Sequence, residues 1–172
     1  MPTSLSNLLH VANIIVVSLI VGSMFGIWRG YDPALYSPAT FVEVHQVAVR
    51  GLNDLLPAMG FSAIAMAGAL AFLARRRRPA FWLYLSAVAA LAAAGIITRF
   101  GNQPINDIVM GWSTTPPEGW QALRDTWWNW HLARLAAGII GEVLLINAIF
   151  ADRSQSAAVP SSEPAGAVGK PA

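Results

Sequence analysis

The sequence predicts an all-α integral membrane protein, a four-helix bundle of up-down topology with long structured outer loops. Of the 172 residues, 55% are hydrophobic and only 12% are charged, whereas a soluble domain carries roughly 25% charged residues. The mean hydropathy is +0.51, and four apolar stretches approach the length of about 20 residues that a helix needs to cross a bilayer. A soluble domain of this size could not bury so much apolar surface, so most of it is expected to face lipid.

The predicted membrane domain covers residues 1–151, with spans at about residues 8–28, 55–74, 80–97 and 132–151. The first span has some features of a signal peptide. Because no basic residue precedes it and no small-residue cleavage site follows it, we expect a retained helix. Residues 152–172 have no apolar period and are rich in Ala, Ser, Pro and Gly, which predicts a disordered cytoplasmic tail.

The short turn between the second and third spans consists of four arginines, Arg75, Arg76, Arg77 and Arg78. Basic residues collect on the cytoplasmic side of a membrane, so this turn is expected inside the cell. Both termini would then also lie inside, an N-in and C-in arrangement across a plasma or inner membrane. The two long connections, at about residues 29–54 and 99–130, would lie outside.

Composition also excludes several function classes. The formal net charge is only +2, and the basic residues concentrate in the 75–78 turn, so no nucleic-acid partner is expected. The chain has no cysteine, which excludes disulfides, thiolate nucleophiles and Cys-ligated metal centres. No span carries a polar stripe along its length, which argues against a conductive pore. The expected partners are the lipid bilayer and a small aromatic substrate, and the oligomeric state stays open.

The first outer connection contains a predicted helix. From Thr40 onward, apolar residues recur at spacings of three and four, the period of a helix with one apolar face. Thr40 is the expected N-cap, with Glu43 three residues later. This helix would rise above the bilayer for about four turns and carry His45 there. We expect it to be broken or bent around Pro57, which lacks the amide hydrogen of a helix interior.

The second outer connection carries more polar and aromatic residues. Asn102 and Asn106 follow the third span, and a row at helical spacing leads into the fourth: Trp120, Arg124, Trp128, His131 and Arg134. Trp127 and Trp130 suit an aromatic belt at the membrane interface. The row itself is expected to turn inward, because an arginine that faces lipid is costly. Arg124 should then reach an inner polar partner: Asn106, Asp107 or Glu43.

Three motifs together resemble a known family. They are VHQ at residues 44–46 with Pro57 further on, NQPIND at residues 102–107, and W-x3-R-x3-W-x2-H-x2-R beginning at Trp120. Over about residues 8–151 the chain resembles the DUF1772 family of four-helix membrane proteins, which includes anthrone oxygenase-like proteins. The resemblance implies oxidation of polycyclic aromatic anthrones to quinones by dioxygen without an obvious cofactor. His131 stands where the resemblance leads us to expect Asn, and it could add a base or a metal ligand.

Oxygenation without a cofactor requires a group that removes a proton, a site that holds the flat anion, and access for dioxygen. His45 or His131 suits the role of base. Arg124 with Asn106 suits the stabilisation of a phenolate or enolate oxygen. Substrate binding is expected from a further set of residues, Trp120, Trp128, Asn102 and Arg134.

These candidates predict a membrane-embedded oxidoreductase that acts on small aromatic or phenolic compounds at the outer face. The second and fourth spans run parallel in an up-down bundle, so their outer ends lie at one level. We therefore expect His45 and His131 to approach each other across the outer mouth of the bundle. Asn106 or Arg124 should lie between or beside them.

Alternatives remain open at several of these residues. Either histidine could be an interfacial residue bonded to loop carbonyls. His45, His131 and Glu43 could form a two-His-one-carboxylate site, so a metal ion is the one cofactor kept as an alternative. Glu142, near mid-membrane, is either a proton relay or a protonated carboxyl hydrogen-bonded across the bundle. The alternative function is a non-enzymatic membrane protein that binds or moves a small molecule or assists a partner protein.

Overall fold

The computed structural model describes residues 4–157, and in this range the chain forms helices joined by short connections, without a strand. The six α-helices are α1 (Ser4–Gly30), α2 (Pro38–Leu52), α3 (Leu55–Leu73), α4 (Arg78–Ile97), α5 (Gln103–Met110) and α6 (Trp120–Ala157). A 3-10 turn, Pro33–Leu35, lies before α2, and a π-helical turn, Thr98–Asn102, joins α4 to α5.

Four helical segments are long and apolar enough to cross a membrane. They are Leu5–Leu35, Leu55–Leu73, Arg78–Met110 and Trp120–Ser154. The prediction of an all-α protein with four membrane-spanning helices is therefore confirmed. The up-down order of the spans and the side on which each loop lies stay predictions.

The four long helices pack in a closed ring. Helix α1 packs on α3 and α6, and α4 packs on the same two helices, with its largest contact against α6. The core of this ring contains buried aliphatic side chains and one aromatic side chain, among them Val17, Leu70, Tyr84 and Leu145. Gly141 lies where α6 meets α4, because a Cβ at this position would be 2.8 Å from Cδ2 of Leu91. The absence of a side chain therefore sets the distance between the two helices.

A second cluster of buried side chains forms outside this ring. It consists of Tyr31, Phe41, Val42, Ile105, Val109, Trp120 and Trp127, and we call it the aromatic cap. The cap joins α2, α5 and the first turns of α6 to the end of the first span. Gln46 of α2 strengthens it by donating from Nε2 to the carbonyls of Val109 and Trp112, at 3.0 and 2.9 Å.

The predicted helix in the first connection is confirmed, but it begins earlier than predicted. It begins at Pro38, and its N-cap is Ser37, whose hydroxyl accepts from the amide of Thr40 at 3.2 Å. The break expected around Pro57 lies at residues 53–54, and Pro57 falls in the first turn of α3. The proline is the physical reason, because its ring clashes with the carbonyl four residues earlier, that of Asn53.

Two further segments differ from the prediction. Most of residues 99–110, expected in a long outer loop, continue the third span as the π turn and α5. The non-helical part of this connection covers residues 111–119. Residues 152–157, expected in the disordered tail, form the last turns of α6. Asp152 is buried there and pairs with Arg77, which holds the helix end against the 75–78 turn. The rest of the predicted tail lies outside the described residues.

Gly141→Ala should destabilise the bundle. The new methyl group would overlap Leu91 at the α4–α6 contact, and overpacking of this kind costs about 1–3 kcal/mol. Gly68→Ala is the matched control, because a Cβ there meets nothing within 4 Å. It should be neutral or stabilise by up to about 1 kcal/mol, because alanine favours a helix interior. Thermal unfolding in one detergent compares the two, and equal midpoints would contradict a tight α4–α6 contact.

Candidate functional site

His45 lies at the centre of a buried hydrogen-bond network inside the aromatic cap. Only 2% of its surface is exposed. Its Nε2 is 3.2 Å from Oδ1 of Asn106, and its Nδ1 is 3.4 Å from the hydroxyl of Tyr31. An amide oxygen can only accept, so Nε2 carries the proton and donates. Nδ1 is then left to accept from Tyr31, and the imidazole is neutral.

The side chain of Asn106 is fixed from two directions. Its Oδ1 accepts from Nε2 of His45 and, at 2.8 Å, from the indole Nε1 of Trp127. Two donors that converge on one oxygen determine which end of the amide faces them. The amide nitrogen therefore points away from His45 and Trp127, and it is free to donate elsewhere.

His131 forms a second network, in which both ring nitrogens are again occupied. It is fully buried, and its Nε2 is 3.1 Å from the carbonyl oxygen of Met24 in α1. Its Nδ1 is 3.0 Å from a terminal guanidinium nitrogen of Arg134. A carbonyl only accepts and a guanidinium only donates. His131 therefore donates through Nε2 to α1 and accepts through Nδ1 from Arg134.

Arg134 is a buried cation to which the described part of the chain supplies no acidic partner. Only 8% of its surface is exposed. Its neighbours are Nδ1 of His131 and the ring of Trp127, whose centroid is 5.9 Å from the guanidinium carbon. Within residues 4–157, no carboxylate forms an ion pair with it. Burying an unpaired charge costs several kcal/mol, so this position favours a bound anion.

Arg134 and Asn106 line the same small cleft. Its other wall comes from Ile27 of α1 and from residues on both sides of the α2–α3 break, including Leu52, Asn53, Leu56 and Pro57. The cleft has a volume of about 60 Å³, whereas ligand pockets usually measure at least about 300 Å³. A three-ring substrate therefore requires the cleft to widen.

The two histidines contact the same indole. The ring centroid of Trp127 is 4.9 Å from that of His45 and 5.4 Å from that of His131. Asn106 lies beside His45, as expected, but the residue that contacts both histidines is Trp127. Asn106 therefore meets the expectation that it or Arg124 would lie beside the histidines, whereas the predicted inner partner of Arg124 is wrong.

Arg124 instead binds its neighbour in the sequence. Its Nε and a terminal nitrogen both lie 2.8 Å from Oδ1 of Asp125, and its guanidinium lies over the ring of Trp120. It forms no bond to Asn106, Asp107 or Glu43. The physical reason is that Asp125 is the next residue in the chain, so its carboxylate reaches Arg124 without a contact between helices. Arg124 therefore does not belong to the buried network.

Trp127 was assigned to a lipid-facing belt, and this assignment is wrong. It is 5% exposed and donates to Asn106. Helical phase could have identified it, because 100° per residue places Trp120, Trp127, His131 and Arg134 within about 60° of one another. Trp130 lies outside this arc and is 43% exposed, as a belt residue is. Its ring packs over Gly101, where a Cβ would come within 2.6 Å.

The other predicted substrate-binding residues have structural contacts. Trp120 is buried against Phe41, with ring centroids 5.0 Å apart. Trp128 is half-buried and stacks on His131. Asn102 is fully buried in the π turn, and its Nδ2 donates to the carbonyl of Trp127 at 3.0 Å. None of these three side chains lines the cleft.

The proposed metal triad does not form. Glu43 is exposed while His45 is buried, because residues two apart on a helix diverge by about 200°. Both nitrogens of His45 and of His131 are already bonded. Among residues 4–157, no three His, Asp or Glu side chains converge as metal ligands.

Glu142 lies apart from the cleft, two helical turns beyond Arg134. Its carboxyl oxygen accepts from the hydroxyl of Ser18, which joins α6 to α1. This contact agrees with the interpretation that Glu142 is hydrogen-bonded across the bundle. A role in proton relay stays a prediction.

Sequence analysis missed Tyr31 and the carbonyl of Met24. Tyr31 is not among the predicted site residues, yet its hydroxyl donates to His45. No sequence signal identifies either contact. Tyr31 lies 14 positions from its partner, in a segment without helical period. The carbonyl of Met24 belongs to the backbone, which every residue has, so no residue type indicates it.

Comparison with known proteins gives one finding. A family model described as anthrone oxygenase matches residues 46–144, which is more than half of the chain. The matched part contains Asn106, Trp127, His131 and Arg134, and it begins one residue after His45. No curated protein matches the chain, and no solved structure does.

Because of His45, the stability of the aromatic cap should decrease as the pH is lowered. Burial lowers the pKa of His45 from 6.5 to about 4, although its hydrogen bond to Asn106 opposes the shift. Below pH 6.5 the unfolded chain binds a proton there that the folded chain does not bind until about pH 4. This contribution is complete above pH 6.5 and is lost as the pH falls toward 4.

The measurement is the free energy of unfolding at about pH 7.5 and about pH 5. His45→Gln should be less stable overall, but its loss between the two pH values should be smaller by about 2 kcal/mol. The other histidines are present in both proteins and cancel in this difference. Equal losses would show that folding leaves the pKa of His45 unchanged.

Proposed function

Because the chain belongs to the anthrone oxygenase family, we propose that it is a membrane-embedded oxidoreductase that oxygenates small aromatic or phenolic compounds with dioxygen. Its substrate is anthrone-like and binds in the cleft beside Arg134. The proposal uses no cofactor. The observation that carries it is the buried guanidinium of Arg134, which has no carboxylate partner within residues 4–157.

The charge of Arg134 is complementary to the reacting form of such a substrate. Loss of a proton from the carbon between the rings delocalises negative charge onto the substrate oxygen. This enolate transfers electrons to dioxygen and forms a carbon–oxygen bond, and the resulting hydroperoxide loses water to leave a quinone carbonyl. A preorganised donor aimed at the developing oxyanion lowers the free energy of the first step.

Arg134 and Asn106 are the two donors that we assign to this oxyanion. They line the cleft together, and each is held by another side chain. His131 holds the guanidinium through Nδ1, while His45 and Trp127 hold the oxygen end of the Asn106 amide. The amide nitrogen is then available to the substrate.

We assign the histidines a positioning role rather than that of base. Nδ1 of His45 accepts from Tyr31, and Nδ1 of His131 accepts from Arg134. Neither ring therefore offers an unbonded nitrogen to the cleft, and no carboxylate of residues 4–157 lines it. The substrate proton leaves to water, and the donors act by stabilising the anion that remains.

We place the cleft at the outer face of a plasma or inner membrane, with both termini inside. Helix α3 supports this placement, because Pro57 in its first turn lines the cleft and the 75–78 turn follows its last turn. Its 19 residues separate the two by about 28 Å, which is close to the thickness of the hydrocarbon core. Arginines on the cytoplasmic side then put the cleft outside.

A second candidate function is binding or transport of an aromatic anion without chemistry. The occupied histidine nitrogens favour it, because a binding protein needs no base. Oxygen consumption distinguishes the two functions. An oxygenase consumes dioxygen with a candidate anthrone in proportion to quinone formed, whereas a binding protein binds the compound and consumes none.

Arg134→Gln should lower the turnover number with an anthrone by about 10²–10³-fold, the loss typical of a removed oxyanion donor. An oxygen electrode with purified protein measures this. Arg50→Gln is the control, because Arg50 is exposed on α2 and does not line the cleft, and it should stay within about twofold of the original rate. Full activity of a folded Arg134→Gln protein would refute the proposed oxyanion site.

His131→Asn should retain most of the activity, whereas His131→Leu should lose about as much as Arg134→Gln. An asparagine oxygen can take the place of Nδ1 and accept from Arg134, but leucine leaves the guanidinium without its partner. The pH profile of turnover provides the second measurement. If His131 is a base instead, His131→Asn will be as inactive as His131→Leu, and the limb of the pH profile that reports its titration will disappear.

A further inference from the structure

Basic charge collects at the end of the bundle opposite the cleft. Arg75, Arg76 and Arg77 lie between α3 and α4, Arg78 is the first residue of α4, and Arg153 lies on the last turns of α6. Asp152 is the one acidic residue among residues 4–157 at this end. The charge here is therefore strongly unbalanced.

The acidic residue that the structure places at this end is already bound. Asp152 is buried, pairs with Nε of Arg77, and lies 3.8 Å from Nε2 of His10. The other three arginines of the turn are exposed, and within the described range none of them forms an ion pair. The network around Asp152 thus fixes the turn without neutralising its outer surface.

The start of α4 makes the clustering of these arginines more unfavourable. Arg77 is the N-cap of α4 and provides no side-chain hydrogen bond to the helix, and Arg78 is its first residue. The N-terminus of a helix carries partial positive charge, so cations there are repelled and anions are attracted. Three unpaired guanidinium groups beside such an end favour a negatively charged ligand over water alone.

The surroundings of the turn indicate what kind of anion fits. Phe72 and Trp82 flank it and are exposed, one on the last turn of α3 and one on the first turns of α4. The guanidinium of Arg75 donates to the carbonyl of Phe72 and lies over its ring, 4.3 Å from the centroid. Aromatic side chains beside basic residues suit the boundary between lipid headgroups and acyl chains. A soluble anion would leave this apolar surface uncovered.

We propose that the 75–78 turn is a binding site for the headgroup of an anionic phospholipid. Arg75, Arg76 and Arg78 hold the phosphate next to the N-terminus of α4, and Phe72 and Trp82 contact the upper acyl chains. The inference does not depend on the oxygenase activity, because the site lies at the other end of α3.

The test uses the full chain in phosphatidylcholine vesicles that contain a minor fraction of brominated phosphatidylglycerol. Bromine quenches nearby tryptophans, and Trp82 is the exposed indole beside the turn. Tryptophan quenching by brominated phosphatidylglycerol should exceed the quenching by the same fraction of brominated phosphatidylcholine. Trp82→Phe should remove this excess. The triple variant Arg75→Gln, Arg76→Gln and Arg78→Gln should weaken apparent binding about a hundredfold, because each arginine near an anionic surface contributes about fivefold.

A matched triple variant controls for net charge. The control variant carries Arg29→Gln, Arg50→Gln and Arg99→Gln, which remove the same charge from exposed positions at the cleft end. It should keep the excess quenching. If the test triple fails to fold, Arg76→Gln alone should weaken binding about fivefold. Inorganic phosphate should not displace the lipid, and displacement would show a soluble-anion site instead. Equal quenching by the two brominated lipids, or equal loss in both triples, would overturn the proposal.

Discussion

The buried guanidinium of Arg134 constrains much of the structure around it. Because no carboxylate within residues 4–157 neutralises it, its donors must be satisfied by neutral acceptors. Nδ1 of His131 is one such acceptor. This bond decides the tautomer of His131, which then donates through Nε2 to the carbonyl of Met24. One cation in α6 thereby fixes a histidine and ties α6 to α1.

A similar dependence holds in the aromatic cap, where Asn106 takes the central position. Its Oδ1 accepts from α2 through His45 and from α6 through Trp127, so three helices meet at one oxygen. The polar wall of the cleft is consequently rigid. The opposite wall includes the α2–α3 break, where the helical hydrogen bonds are interrupted beside Pro57. A cleft that must widen for a substrate is expected to do so on that side.

The two ends of the bundle use arginine in different ways. At the cleft, a single guanidinium is buried against neutral partners, in a setting of low dielectric where its field is strong. At the 75–78 turn, several guanidinium groups are exposed, and the buried Asp152 engages Arg77. The first arrangement suits recognition of one substrate oxygen, and the second suits attraction to a charged membrane surface. Helix α3 connects the two.

The sequence determined the four spans, because a bilayer sets the length of an apolar helix, and it determined α2 through its apolar period. The motifs on which the resemblance rested also pointed to His45, Asn106, His131 and Arg134 as residues of one region. The sequence did not separate Arg124 from Arg134. At 100° per residue these two differ by about 80° around α6, and only packing against α1, α2 and α5 decides which of them is buried. Tertiary structure likewise decided the partners of Tyr31 and Trp127 and the tautomers of both histidines. The physical reason is that periodicity describes the faces of one helix, whereas these hydrogen bonds join different helices.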